Sequence, residues 1–165
     1  MDFTFTEEQN MIRESAREAL ADYASSARVR AAMTSEAGYE PEVWQSICAE
    51  LGWSGVHIPE TWGGHGMGYV ELAILFEEMG RSLLCAPFIS SIALAANALL
   101  VAGSDAQREA YLPLLASGEL LATLAGVGAG GRWSPDAIEP VWREAPDGYE
   151  LSGTAGHVLW GHVSE

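Results

Sequence analysis

The sequence predicts an α+β fold, mainly α: an N-terminal helical bundle followed by the first strands of an incomplete β domain. Three observations carry that prediction. Two capping boxes, Thr6-Glu7-Glu8-Gln9 and Ser104-Asp105-Ala106-Gln107, mark helix starts, because each hydroxyl can accept from the third amide while the glutamine reaches back. Apolar residues recur at helical spacing from Met11 to Met79. Beyond Glu119 the helical texture gives way to short β-like runs around Asp147-Gly148, a hairpin signal. Helices followed by strands point to an α domain joined to a β domain, not to alternating βαβ units. We place the division at residues 1–119 and 120–165.

The elements follow in order. Met11, Ile12, Ala16, Ala19, Leu20 and Tyr23 line one face of a first helix ending about Tyr23. Residues 25–39 read equally as a frayed continuation of that helix or as a loop. Pro41 suits a first helical position, Trp44, Ile47, Cys48 and Leu51 share a face, and Gly52 ends the turn. Tyr69 to Met79 forms a third helix that stops at Gly80-Arg81; it is apolar nearly all round and so expected at the centre of the bundle. Pro87 opens a fourth helix over 88–102, closed by Gly103, and a fifth runs to Tyr111, where Pro113 distorts or ends it. Leu120 to Ala125 reads as a buried strand, although the pattern alone fits a helix as well. Residues 139–144 and 149–151 flank the Pro146-Asp147-Gly148 turn, and Val158-Leu159-Trp160 is a third strand. Such a small sheet leaves edges and an apolar face that need cover, so residues 120–165 read as a domain begun and completed elsewhere.

Composition narrows the function. With 23 acidic against 8 basic residues the net charge is −15, which repels phosphate backbones and excludes nucleic-acid binding. No basic region or apolar signal run opens the chain, and the longest apolar stretch is too short to span a bilayer, so a cytoplasmic protein with no membrane span is expected. Cys48 and Cys85 lie within apolar helical patterns and read as core thiols of a reducing compartment. His57, His65, His157 and His162 have no zinc-site spacing, so no metal is expected. The pair Glu77-Glu78 reads as a solvated face with one buried, hydrogen-bonded carboxylate, and no catalytic residue is assigned.

Gly126-Val127-Gly128-Ala129-Gly130-Gly131 matches G-x-G-x-x-G and leaves three readings open. A dinucleotide fingerprint requires a helix to begin at the loop, whereas Arg132-Trp133-Ser134-Pro135 follows. The others are a plain flexible turn and a glycine loop that lets backbone approach a flat cofactor.

Larger motifs carry a resemblance. Gly52-Trp53-Ser54-Gly55 through Pro59-Glu60 and Trp62-Gly63-Gly64-His65-Gly66, then Glu71-Leu72 with Glu77-Glu78-Met79-Gly80-Arg81, then Tyr111-Leu112-Pro113 with Ser117-Gly118-Glu119, and finally Leu151-Ser152-Gly153-Thr154 together cover most of the chain. In combination they resemble the acyl-CoA dehydrogenases, and Gly130-Gly131-Arg132-Trp133 is similar to steroid-type, heteromeric members. The resemblance implies FAD as cofactor, an acyl-CoA substrate, and assembly with like or unlike subunits of the same family. It implies flavin contacts at Val127, Gly128, Gly130, Val158 and Leu159, and an acyl-chain pocket lined by Ser90, Ser91 and Leu94.

Departures from the family pattern accompany it. Its T-E-P positions are Val127, Gly128 and Ala129, Ala155 stands where lysine is usual, and Leu159 replaces the threonine that reaches flavin N5. The family's glutamate base lies in a C-terminal bundle to which no residue here corresponds. The chain is therefore expected to be part of an α,β-desaturating enzyme and inactive alone, or else a non-catalytic scaffold subunit of a heteromeric one.

Overall fold

The structure is a computed structural model that describes residues 4–128, 130–138 and 141–164. Helix α1 (Glu7–Tyr23) begins at the expected capping box, with Gln9 N donating to Thr6 Oγ1 at 3.2 Å and Thr6 N to Gln9 Oε1 at 3.0 Å. The ambiguous stretch resolves into a separate short helix, α2 (Ser26–Thr34), and then a loop. Arg28 pairs with Glu40 across that loop at 2.7 Å. Helix α3 (Pro41–Gln45) continues through a π-helical turn, Ser46–Glu50, and ends where Gly52 takes φ +68°.

Helix α4 (Tyr69–Ser82) does not stop at Gly80-Arg81. Leu84 N donates to Met79 O and Leu83 N to Gly80 O, a Schellman closure in which Leu83 takes the left-handed position normally given to glycine, at φ +56°. Nor is α4 buried all round: Val70, Ala73, Glu77 and Gly80 form an exposed row. The reason is geometric, since α1 covers one side of α4 and no described residue covers that row.

Pro87 precedes a π-helical stretch, Ile89–Ala96, which runs into α5 (Asn97–Ala102) and ends at Gly103. Helix α6 (Asp105–Ser117) opens on the second capping box and passes straight through Pro113, where an end or distortion was expected. Leu112, Leu115 and Ala116 are buried on both sides of the proline, and that anchorage holds the helix across its missing hydrogen bond. It closes at Gly118, φ +78°, whose carbonyl accepts from Trp44 Nε1 at 2.8 Å. A Cβ there would lie 2.3 Å from the Cys48 Cβ, so the end of α6 sits directly on the π-helical turn that follows α3.

The main core gathers Ala16 and Leu20 of α1, Trp44 and Ile47, Leu72 and Leu75 of α4, Phe88 and Ile92. A second, smaller core holds Ile58, Ala96, Leu112, Leu115 and Ala116. The β part is smaller than expected. Residues 120–125 form no strand among the described residues; Ala122 bonds through both backbone groups to the Ser91 hydroxyl instead. Strands β1 (Val141–Ala145) and β2 (Gly148–Ser152) form the expected antiparallel hairpin, from Val141↔Ser152 to Ala145↔Gly148. Of the longer run expected before it, Glu139 lies outside the described residues. Trp142 and Tyr149 meet edge to face at 5.5 Å on an otherwise exposed hairpin. Val158–Trp160 is a turn, not a third strand: Gly161 N donates to Val158 O, and His157 and Trp160 take φ +49° and +57°. No helix among the described residues is long and apolar enough to cross a membrane.

Candidate functional site

The glycine loop and the terminal turn meet at one corner of the molecule. Val127 is buried, its carbonyl accepts from Gly156 N at 3.0 Å, and Gly128 bridges antiparallel to Ala155. A Cβ on Gly128 would fall 1.9 Å from the Ala137 carbonyl oxygen, so this glycine serves close backbone packing within the chain itself. Gly131 N closes a tight turn onto Gly128 O at 2.8 Å. Among the described residues no α-helix begins at the loop and a three-residue 3₁₀ turn, Pro135–Ala137, follows, which removes the dinucleotide reading. Gly130 faces open space, with nothing within 4 Å of where a Cβ would stand.

Thr123 joins the two segments, its Oγ1 donating to Leu159 O at 2.7 Å. Val158 is half-buried and Leu159 largely exposed. The turn is held against the helices by Trp160, which packs edge to face on Tyr39 at 5.9 Å, and by His162 Nε2, 3.2 Å from Ala37 O. The structure thus brings Val127, Gly128, Val158 and Leu159 together, with Gly130 on the rim.

These residues offer a flavin main chain and apolar surface, without side-chain polar groups. The Val127 N–H has no acceptor among the described residues, although the residue is buried, and an orphaned amide is what a flavin ring edge could satisfy. Open space at Gly130 allows backbone approach to a flat ring. The fit is through backbone alone, because neither Val127 nor Leu159 carries a hydroxyl.

Ser90 and Ser91 are fully buried and Leu94 half-buried. Ser90 Oγ donates to Pro87 O at 2.9 Å. Ser91 is a clip: its Oγ donates to Ala122 O at 3.1 Å and accepts from Ala122 N at 3.2 Å. One hydroxyl thereby replaces a strand partner for the segment leading to the glycine loop. Ser91→Ala should leave both Ala122 groups unpaired at a cost of about 1–3 kcal/mol. The expected signature is faster amide exchange confined to residues 120–125, with α1 and α4 unchanged.

Sequence reasoning missed one polar cluster and anticipated only the buried carboxylate of a second. His57, buried, faces Asn97 Oδ1 through Nε2 at 3.2 Å, and Tyr69 OH donates to the same oxygen at 2.9 Å. Burial pushes the His57 imidazole below its ordinary value, against the Asn97 bond. The second cluster gathers Arg13, Arg17 and Arg81 around Glu78, the one buried carboxylate expected of the Glu77-Glu78 pair. Neither cluster reaches the glycine loop. The linear signal for the first, a lone histidine before a glycine-rich loop, has no partner visible at sequence range. Among the described residues no set of three or more His, Cys, Asp or Glu side chains could hold a metal ion.

Comparison with known proteins places this geometry. Residues 6–119 match the acyl-CoA dehydrogenase N-terminal domain. Acyl-CoA dehydrogenase IpdE2 of Mycobacterium tuberculosis is 39% identical over 119 residues, covering 72% of this chain and 36% of that protein. IpdE2 of Mycolicibacterium smegmatis is 36% identical, covering 72% and 37%. Among solved structures, a variant of the Tcur3481-Tcur3483 steroid ACAD matches with TM-score 0.81 and 32% identity, over 92% of this chain and 41% of that one. The ChsE4-ChsE5 complex from Mycobacterium tuberculosis matches with TM-score 0.86 and 27% identity, over 99% and 43%. The chain therefore spans a little over a third of the length of these curated relatives.

Proposed function

The chain belongs to the acyl-CoA dehydrogenase family, and from that premise we propose that it supplies the helical wall (residues 1–119) and the opening β segments (120–165) of an FAD-dependent acyl-CoA dehydrogenase assembly. The carrying observation is the corner where Thr123, bonded to Leu159 O, brings the glycine loop and the terminal turn together. A flavin bound there supplies the hydride acceptor for α,β-desaturation of an acyl-CoA thioester. Val127 N–H and the open backbone at Gly130 would hold the ring, and Val158 and Leu159 would give it apolar cover. Leu94 gives the acyl site its apolar contact, while the buried Ser90 and Ser91 shape its floor from behind, Ser91 by fixing the segment that leads to the glycine loop.

Among the described residues, Asp136 and Glu150 pair with Arg132 and Arg143 and so are held as structural carboxylates. The base therefore belongs to polypeptide packed against this corner, in keeping with relatives whose structures are two-component complexes. Each missing hydroxyl contact is worth on the order of 1 kcal/mol, or several-fold in flavin affinity. The 165-residue chain alone should purify colourless and oxidise no acyl-CoA in the presence of added FAD and an electron acceptor. Turnover by the isolated chain would overturn the reading.

A second reading, a non-catalytic scaffold subunit, is favoured by Val127 and Leu159, both of which lack the hydroxyl of the family pattern. Flavin content after co-expression with a family homologue decides between them. Flavin seated on this chain's own corner, lost on Gly130→Val, supports the first reading; flavin wholly on the homologue supports the second.

A further inference from the structure

We propose that residues 157–162 form a two-ended clasp that sets the position of the glycine loop from the helical part, with His157 and Trp160 as its positioning residues. The proposal rests on the reading above only in what the corner holds, since the clasp itself needs no flavin.

One observation carries each end. His157 and Trp160 are two of the three non-glycine residues with positive φ among those described, at +49° and +57°, and they stand three positions apart in one turn. A residue with a side chain stays in that region only where its surroundings hold it there. Each of these two is held by a ring seated on a glycine that is itself left-handed. At the near end a Cβ on Gly131, φ +77°, would lie 3.0 Å from His157 Nε2 and 3.3 Å from its Cδ2. At the far end a Cβ on Gly38, φ +76°, would lie 3.2 Å from Trp160 Cζ3. Both positions call for glycine twice over, for the conformation and for the room under the ring.

The far end is the firmer one. Tyr39 meets Trp160 edge to face at 5.9 Å, and the His162 ring stacks on Trp160 from the turn itself, at 5.9 Å and 18°. His162 Nε2 donates to Ala37 O at 3.2 Å, since a carbonyl can only accept. Val163 N and Ser164 Oγ both donate to Trp160 O, at 3.1 and 2.9 Å, and close the turn behind the ring. Loop 35–39 is in turn fixed to the helices, Gly38 N donating to Ser35 Oγ at 3.0 Å and Glu40 pairing with Arg28. The glycine loop has slighter holds: its own turn from Gly131 N to Gly128 O, the bond from Gly156 N to Val127 O, and the His157 ring on Gly131. Leu159 O, bonded to Thr123 Oγ1, lies between the two ends. Packing at Gly38 therefore passes through Trp160, Leu159 and His157 to the opening at Gly130, as coupling through a chain of packed side chains requires.

Hydrogen exchange of single amides, followed by NMR on the full chain without flavin, tests the clasp. The amides of Gly131 and Gly156 report the glycine loop through their bonds to Gly128 O and Val127 O. Trp160→Ala should speed both by about tenfold, the size of one lost aromatic contact, with α1 and α4 unchanged. Trp160→Phe keeps a ring on Gly38 and should restore most of the protection. Gly38→Ala, made in the helical part, should speed the same two amides, and adding it to Trp160→Ala should bring nothing further, because the ring it crowds is gone. Read in the other direction, His157→Ala should speed exchange at Val163, whose amide bonds to Trp160 O. Wild-type rates at Gly131 and Gly156 in both Trp160→Ala and Gly38→Ala overturn the proposal, because the far end would then be local packing alone. Faster exchange spread evenly over α1 and α4 overturns it too, because Trp160 would then be a general core residue. Colour and turnover are measured separately and decide the reading above whichever way the exchange falls.

Discussion

Gly64→Ala should lose about 3–5 kcal/mol of stability and leave much of the population unfolded at 37 °C. A Cβ at this position would stand 1.9 Å from Ile58 O and 2.5 Å from Ile58 C, so the obstacle is backbone and no rotamer can relieve it. The backbone cannot withdraw cheaply either. Ile58 O accepts from Gly66 N at 2.9 Å, His65 N donates to Gly55 O at 2.8 Å, and Met67 N to Val56 O at 2.9 Å. Ile58 is itself fully buried in the second core, against Leu112 and Leu115. Moving it aside breaks the loop's hydrogen bonds and opens that core at once. Urea unfolding checks the size of the loss, and two neighbours calibrate it. Gly63, at φ +81°, would place its Cβ 3.7 Å from Pro113, so Gly63→Ala should cost only the conformational strain, about 1 kcal/mol. Gly80 lies within α4 with nothing within 4 Å, and Gly80→Ala should stabilise by about 0.5–1 kcal/mol. Equal effects at all three positions would mean that the loop packs differently from the structure described.

That loop was legible as a glycine-punctuated motif, but the reason for each glycine was not. The parts read correctly from sequence are those whose cause is local. Thr6 and Ser104 cap helices through residues three positions away, and Asp147-Gly148 turns a hairpin between its own strands. The misreadings share a different origin. Leu83 occupies a position where local preference calls for glycine, held there by the bonds that close α4, and Pro113 sits where local preference calls for a helix end, overridden by the buried residues around it. Residues 120–125 have strand composition, yet Ala122 in their midst bonds to a serine thirty-one positions upstream, which no periodicity announces. Val158–Trp160 likewise has strand-like residues bent into a turn by anchorage on Tyr39 and Ala37. For the site, sequence supplied the loop and the terminal segment as separate pieces. Thr123, the side chain that joins them, carried no signal beyond its residue type.

Glu78→Ala should cost about 2–3 kcal/mol, and the cost should shrink in acid. Glu78 lies fully buried on α4, with Arg17 bonding it in a fork, Nε to Oε2 at 3.0 Å and Nη2 to Oε1 at 2.6 Å. Arg81 Nε adds a third bond to Oε2 at 3.0 Å, and Arg13 stands at 4.0 Å. The cluster ties α1 to α4 across the seam that carries the main core, so its loss loosens that pair of helices. The figure stays below that of a fully enclosed ion pair because Arg17 and Arg81 are about half exposed and regain water when the carboxylate goes. The pH dependence follows from the same geometry. The Arg17 hydrogen bonds, with those of Arg81, hold the Glu78 carboxyl below its ordinary value of 4.5, with burial opposing them. The unfolded chain therefore takes up this proton before the folded one does. The stabilisation is fully present above the unfolded value and drains away as pH falls through the folded one. Unfolding curves for wild type and variant should lie furthest apart near neutrality and draw together as pH falls below the ordinary carboxyl value of 4.5. Comparing the two chains removes the parallel contributions of Glu40 and Glu71, whose carboxyls are also held low, by Arg28 and by Gln9. A gap that stays constant from pH 7 to 3 would mean that Glu78 stabilises by packing alone.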